Sequence, residues 1–452
     1  MDRKPDPLGA AQAATTIAAP QALLSVPDGI FLIVGMVIGA GIFKAPSIVA
    51  GNVPGALEFM LVWIAGGIVS LCGALVYAEL SGRFPETGGE YRFLSRAYGP
   101  GTAFVFAWSR MSVVQTGAIA AVAYVFGDYA QQILPLGPNG AAIHAALGVI
   151  ALTALNLVGT PQSKALQKVM SALLMIALAA VALAGLLGPA APAVAAKPVA
   201  GDLGLAMIFV LLTYGGWNEA AYIAGEVREP RRNMIRILVG GIVAISVIYI
   251  VVNLGYLAAL GLSGMRDSKA VAVDLMRQIA GDAGAVLIAL LVCVATLTTI
   301  NAAILTGART SYALGRDFAM FAPLGAWRAS GSTPANALLL QGAVSLALVL
   351  AGSFTPDGFS SMVAYTTPVF WIFFLLCGIA LFVFRAREGA PPSFRVPLYP
   401  LVPIVFCAVC AYMLYSSVNY VRFAVPFGYA VLAGILVMAV GIPLYLVARA
   451  RR

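Results

Sequence analysis

Residues 34–46 read VGMVIGAGIFKAP, which puts Gly35, Gly39 and Gly41 within seven residues near the middle of an apolar run from Ile30 to Ala50. A glycine inside a helix costs about 1 kcal/mol relative to alanine, so a run suited to crossing a bilayer is weakened at its centre. The chemistry such a break offers is that of the backbone. A helix interrupted at the bilayer midplane exposes carbonyls at the end of its first half and amides at the start of its second, and this is tolerated only where the break lines a cavity. The freed amides, at the positive end of the second half-helix, can hold a carboxylate, while the freed carbonyls can hold an ammonium group or a cation. A zwitterionic amino acid needs both. Two other readings compete. Gly35 to Gly39 fits the GxxxG close-packing pattern of membrane helices. Gly39-Ala40-Gly41 could open a nucleotide fingerprint, but Lys44 occupies the third glycine position and no strand precedes it, so that reading fails.

Residues 212–219, LTYGGWNE, repeat the theme in a second long apolar segment, with Gly215 and Gly216 adjacent and Asn218 and Glu219 following. These are the first and sixth apolar spans of the chain. Glycine-interrupted spans five apart are the pattern expected of two inverted five-helix repeats. Similarity between the halves is too weak to demonstrate a repeat; the spacing suggests one.

The elements that must carry these breaks are membrane helices. Of the 452 residues, 61% are hydrophobic and 10% charged, with a mean hydropathy of +0.94. Soluble domains average about 25% charged residues. The apolar runs are helix-length and lack the roughly ten-residue alternation of an outer-membrane barrel. Hydropathy places spans at 29–50, 56–81, 101–135, 142–158, 167–188, 203–225, 235–262, 284–314, 335–353, 359–384, 399–420 and 425–448. Residues 1–28 read as a flexible cytoplasmic tail with no cleavable signal peptide, 29–384 as a ten-helix core, and 385–452 as two added helices with a short cytoplasmic end. The net charge of +9 concerns topology. With the N-terminus inside, about 20 of the 27 lysines and arginines fall on the cytoplasmic side and about six outside, as the positive-inside rule requires. A nucleic-acid partner is not expected, and both termini are placed in the cytoplasm of a cell-membrane protein.

Other chemistry is sparse. Cys407 and Cys410 form a lone CxxC inside a span, with no second pair and no histidine nearby, and read as two small residues one turn apart. His144, the only histidine, begins an external helix end and reads as structural. No catalytic constellation emerges and no metal or cofactor is expected. An acid within a membrane costs roughly 3 kcal/mol and is a functional candidate by default. Glu219, just after the second break, is the leading one, able to take a proton or face a cationic group. Arg110 is the other deep charge, expected to pair with a carboxylate or snorkel. Thr298 and Thr299, in TLTTINAA, could join the carbonyls of Gly35 and Ile38 around a sodium ion, or bond back to their own helix. Glu79, Glu90, Glu226, Arg228, Arg231 and Arg232 are candidates for cytoplasmic charge pairing, and Phe370, Trp371, Phe373 and Phe374 for packing.

The motifs VGMVIGAGIFKAPSIV, GALVYAELSGRFPETGGEYRFLSRAYGP and TYGGWNEAAYIAGEVREPRRNMIRIL, with the late FRVPLYPLVPIVF, closely resemble the amino acid–polyamine–organocation superfamily, and its L-type amino acid transporter branch in particular. The resemblance covers about residues 28–448. It implies an all-α LeuT-like fold of twelve transmembrane helices, with a 5+5 inverted repeat, broken helices 1 and 6, and alternating access. It also implies that the amides of Gly39, Ala40 and Gly41 hold the substrate carboxylate, and that the carbonyls of Val37 and Ile38, with Leu212 and Gly215 across the cavity, hold the ammonium group. Trp217 and Asn218, beside the second break, complete the expected substrate-binding set. There are departures. Ala40 stands where serine is common, and Leu212 where a gating phenylalanine is usual. Leu174 stands where some members carry a lysine in place of sodium. LPLGPNG, from Leu134 to Gly140, lacks the cysteine that links other members to a heavy subunit, so no disulfide-linked partner is expected. The resulting expectation is a secondary transporter of amino acids, chiefly neutral ones, as exchanger or proton-linked carrier. Sodium coupling, cationic or polyamine substrates, a channel and a membrane-embedded enzyme are the alternatives.

Overall fold

The computed structural model describes residues 24–84, 89–158, 163–190, 201–328, 333–388, 394–423 and 425–450; the side chains of 163–171, 222–226, 388, 420–423 and 425–428 lie outside the description. Within these bounds the chain is helical, with two isolated bridges joining Leu24 to Val227 and Arg328 to Thr333. The helices are α1 (Val26–Val37), α2 (Gly41–Gly51), α3 (Ala56–Arg83), α4 (Gly89–Tyr98), α5 (Pro100–Ile133), α6 (Gly140–Val158), α7 (Ser163–Leu187) and α8 (Leu203–Tyr214). A 3-10 segment, Trp217–Glu226, follows α8. Next come α9 (Pro230–Asp267), α10 (Val271–Asp317), α11 (Ala335–Gly352), α12 (Gly358–Glu388), α13 (Leu401–Phe423) and α14 (Val425–Ala450).

Among the described residues nine helices are long and apolar enough to cross a membrane, or ten if the bent pair α1–α2 counts as one span. The chain is a multi-pass membrane protein. Each of the twelve predicted spans falls on a helix or a helix pair, and the sixth falls short of a full crossing. The sixth stops at its break: the 12 residues of α8 rise roughly 18 Å, against the roughly 30 Å of a hydrocarbon core. The fifth is the 25-residue helix α7, of which the side chains of 163–171 lie outside the description.

The first helix starts earlier than its hydropathy indicates. The Ser25 hydroxyl accepts from the Asp28 amide at 3.4 Å, and the Asp28 carboxylate accepts from the Ser25 amide at 3.1 Å. This capping box satisfies amides that a helix start otherwise leaves open, so α1 begins at Val26, inside the stretch read as tail. Residues 1–23 lie outside the description.

The pair α1–α2 differs in how it is held. In α1 only Gly29, Ile33 and Val37 are buried, a single stripe with four-residue spacing. In α2 eight of eleven residues are buried, Lys44 and Ser47 among them. Arg266, at the end of α9, donates from Nε to the Ala50 carbonyl at 2.8 Å and from Nη2 to the Val53 carbonyl at 2.7 Å. It thereby occupies carbonyls at the C-terminal end of α2 that have no helical partner. The second half of the broken helix is thus packed on most of its faces, and the first half along one stripe.

Candidate functional site

The first break is made by Ile38, Gly39 and Ala40. The Ile38 amide donates to the Val34 carbonyl at 2.9 Å, after which the backbone turns extended at Ile38 (φ −73°, ψ 98°) and α2 departs at 54° to α1. Ala40 precedes α2 with no side-chain cap; its carbonyl accepts from the Phe43 amide at 3.1 Å, and the Gly41 and Ile42 amides have no acceptor within the helix. A bare, positive helix start of this kind is a site for a carboxylate.

The second break is at Gly215-Gly216. Gly216 has φ +109°, a region that favours glycine, and a Cβ there would meet the Met36 carbonyl oxygen at 3.0 Å and Val37 Cα at 3.4 Å. At Gly41 a Cβ would meet the Thr213 side chain at 3.1 Å and its Cα at 3.3 Å. The two breaks are therefore pressed backbone against backbone, and glycine is what permits the approach. Gly39 faces the third partner: a Cβ there would lie 3.6 and 3.7 Å from Cγ2 and Oγ1 of Thr299 on α10. Val37, Ile38, Ala40 and Thr213 are buried, whereas Gly39, Gly41, Leu212, Gly215 and Gly216 are partly exposed. Met36, beside the second break, is 37% exposed.

Tyr249 of α9 joins the two breaks. Its buried hydroxyl lies 3.1 Å from the Val37 carbonyl oxygen and 2.9 Å from that of Thr213, and shares its one proton between them. Sequence reasoning missed this residue, although Tyr249, Asn253 and Tyr256 are spaced as a polar stripe along one face of a membrane helix. Tyr249→Phe leaves buried carbonyls without this donor, which costs about 1–3 kcal/mol; the expected outcome is a lower melting temperature of the detergent-solubilised protein, checked by a thermal-unfolding scan.

The candidate side chains separate into groups. Trp217 is buried, with its ring 5.1 Å from that of Tyr77 and 5.7 Å from Phe374, and Phe373 packs on Phe106 at 5.1 Å, so these aromatics fill the bundle. Asn218 donates from its amide to Glu90 Oε1 at 3.0 Å. Tyr77 donates to the same oxygen at 2.9 Å. Arg110, in a π-helical stretch of α5, donates through Nη2 to both carboxylate oxygens of Glu219, at 2.7 and 2.9 Å, and its Nη1 lies 3.5 Å from Glu90. The pairing reading of Arg110 is the one observed. Thr298 and Thr299 donate to the Val294 and Ala295 carbonyls of their own helix at 2.9 and 3.2 Å. Leu174 is buried in α7.

Near the C-terminal end of α3, buried Glu79 accepts from Arg385 at 2.9 and 2.5 Å and from the Val396 amide at 2.8 Å, tying α3 to α12. Arg228, Arg231 and Arg232 are exposed, and the Glu226 side chain lies outside the description. Lys44 of α2 sits 2.6 Å from Asp128 of α5 and 3.8 Å from Asp357, just before α12. This cluster also escaped the sequence reading, which weighed Lys44 only against a nucleotide fingerprint; an ionisable residue in an apolar span was the available signal. His144 contacts the Leu134 carbonyl at 2.9 Å, and among the described residues no cluster of His, Cys, Asp and Glu suits a metal.

A family model described as amino acid permease matches residues 24–441. The chain is 29% identical over 385 residues to the b(0,+)-type amino acid transporter 1 of Mus musculus, covering 82% of this chain and 78% of that one. It is 26% identical over 425 residues to the serine/threonine exchanger SteT of Bacillus subtilis, covering 92% and 94%. It is also 28% identical over 339 residues to the large neutral amino acids transporter small subunit 2 of Homo sapiens, covering 71% and 63%.

Proposed function

The chain belongs to the amino acid permease family and is an amino acid transporter, not an enzyme, and from that premise we propose that it exchanges neutral L-amino acids by alternating access. The observation that carries this reading is the contact of two helix breaks at Gly41–Thr213 and Gly216–Met36, bridged by Tyr249. In the proposed site the amides of Gly39, Ala40 and Gly41 bind the substrate carboxylate, and the carbonyls of Val37, Ile38, Leu212 and Gly215 bind its ammonium group. Tyr249 keeps the Val37 and Thr213 carbonyls satisfied while no ligand is bound. Trp217 and Asn218 act beneath the site, through the aromatic cluster and through Glu90.

The frame proposed around it is LeuT-like: twelve spans, two inverted repeats of five over residues 29–384, two further helices over 385–452, and both termini cytoplasmic. The relatives' names, amino acid transporter and serine/threonine exchanger, support exchange and small to large neutral substrates. The Lys44 cluster and the packing of α2 are proposed to close the outer side. No disulfide-linked subunit is proposed, because the loop LPLGPNG, from Leu134 to Gly140, carries no cysteine. A second reading, sodium-linked transport, draws on Thr299 facing Gly39, with Thr298 beside it. A proton-linked form would use Glu219, whose side chain is 33% exposed.

Competition binding with the purified protein tests the substrate class. Neutral amino acids should displace one another only with both the α-carboxylate and the α-ammonium group intact. Equal displacement by an amine lacking the carboxylate would remove the cradle.

A further inference from the structure

We infer that Arg110 sets the charge selectivity of the transporter: its guanidinium occupies an acidic subsite that would otherwise take the cationic side chain of a basic amino acid. The inference rests on the transport reading above and adds a specificity-determining residue to it.

The subsite is the Glu219 carboxylate. The Glu219 amide donates to the Gly216 carbonyl at 3.1 Å, so this residue sits one turn beyond the second break. Gly216 in turn lies against the Met36 carbonyl. Met36 and the Glu219 side chain are 37% and 33% exposed, whereas the Arg110 side chain is 8% exposed. The carboxylate is thus partly open beside the break, and the guanidinium is buried behind it. Glu90 stands on the other side of Arg110, at 3.5 Å, and is further held by Tyr77 and Asn218.

The charges then decide the ligand. Glu90 and Glu219 carry two negative charges about one guanidinium, and the short contacts of 2.7 and 2.9 Å go to Glu219. A guanidinium on a carboxylate is a strong charge-assisted pair, and Arg110 makes it from within the protein. An incoming lysine or arginine side chain would have to break this bidentate pair and crowd a second cation against the Arg110 guanidinium, which is unfavourable. A neutral side chain meets no such conflict. Without Arg110 the Glu219 carboxylate loses that guanidinium beside the proposed cradle, and a cationic side chain becomes its preferred partner. Arg110 therefore acts as a built-in stand-in for the basic side chain, so that neutral substrates are accepted and basic ones rejected.

The experiment is uptake of radiolabelled L-arginine and L-alanine into proteoliposomes holding unlabelled alanine or arginine, read as the arginine-to-alanine ratio. Wild type should give a ratio near background. Arg110→Gln should raise it about tenfold or more, each tenfold corresponding to 1.4 kcal/mol. Arg110→Met, which keeps the apolar stem packed, should do the same and serves where the glutamine variant fails to fold. Arg110→Lys should keep the ratio low, and Arg110→Gln/Glu219→Gln should lose the gain. A structural role alone would lower both uptakes and leave the ratio fixed. Alanine exchange by wild type with no rise of the ratio in either neutral variant overturns this inference and leaves the transport reading intact. A wild type that already moves arginine as readily as alanine also overturns it. No uptake of either amino acid strikes the transport reading itself.

Discussion

Gly216→Val abolishes amino acid binding, and Gly41→Val does the same. At Gly216 the cost has two sources. The backbone sits at φ +109°, where a β-branched residue is strained, and the new Cβ would begin 3.0 Å from the Met36 carbonyl oxygen. At Gly41 the Thr213 side chain and Cα stand at 3.1 to 3.3 Å, so the second broken helix must move off the first. Either way the carbonyls and amides that face the ligand separate. Losing two charge-assisted hydrogen bonds at about 1.5–3 kcal/mol each lowers affinity by roughly 100-fold or more. Gly51 is the control: it closes α2, and a Cβ there would have nothing within 4 Å. Scintillation-proximity binding should show Gly51→Ala close to wild type and both valine variants without signal. Wild-type affinity in either valine variant would remove the backbone cradle from the account.

The second large effect belongs to the outer side. Lys44→Met should destabilise the protein by about 3–5 kcal/mol, because it strands the buried charge of Asp128. The Lys44 and Asp128 side chains are 7% and 16% exposed and lie 2.6 Å apart, with Asp357 at 3.8 Å. Removing both members of a buried pair is far milder than removing one, so Lys44→Met/Asp128→Asn should recover most of the loss. The check is the melting temperature in detergent, together with labelling of a cysteine placed at Gly39 by a membrane-impermeant reagent applied from outside. The single variant should melt lower and label faster. An unchanged melting temperature with unchanged labelling would show that the cluster does not hold the outer side shut.

The two breaks were legible because glycine reports on the backbone, and it is the backbone that carries the proposed site. Three glycines in one apolar run and two in another could be read from spacing alone, and Gly39, Gly41 and Gly216 are where the chains meet. Side-chain direction beyond a break was not legible. Trp217 and Asn218 follow Gly216 into a 3-10 segment, whose three-residue turn aims them differently from an α-helix, and they pack with Tyr77, Phe374 and Glu90. The ion pairs were hidden for another reason. Lys44 with Asp128 and Arg110 with Glu219 join residues 84 and 109 positions apart, and nothing local records such partners. Tyr249 lay between these cases. Its face on the helix was readable, and the carbonyls that it reaches were not.

The measurement that bears most directly on the central claim is counterflow. Labelled neutral amino acid is offered to proteoliposomes that either contain unlabelled substrate or are empty, without an ion gradient. Obligatory exchange through the two-break site predicts accumulation only in loaded vesicles, and its loss in Gly216→Val. Equal, non-saturating entry into loaded and empty vesicles would contradict it.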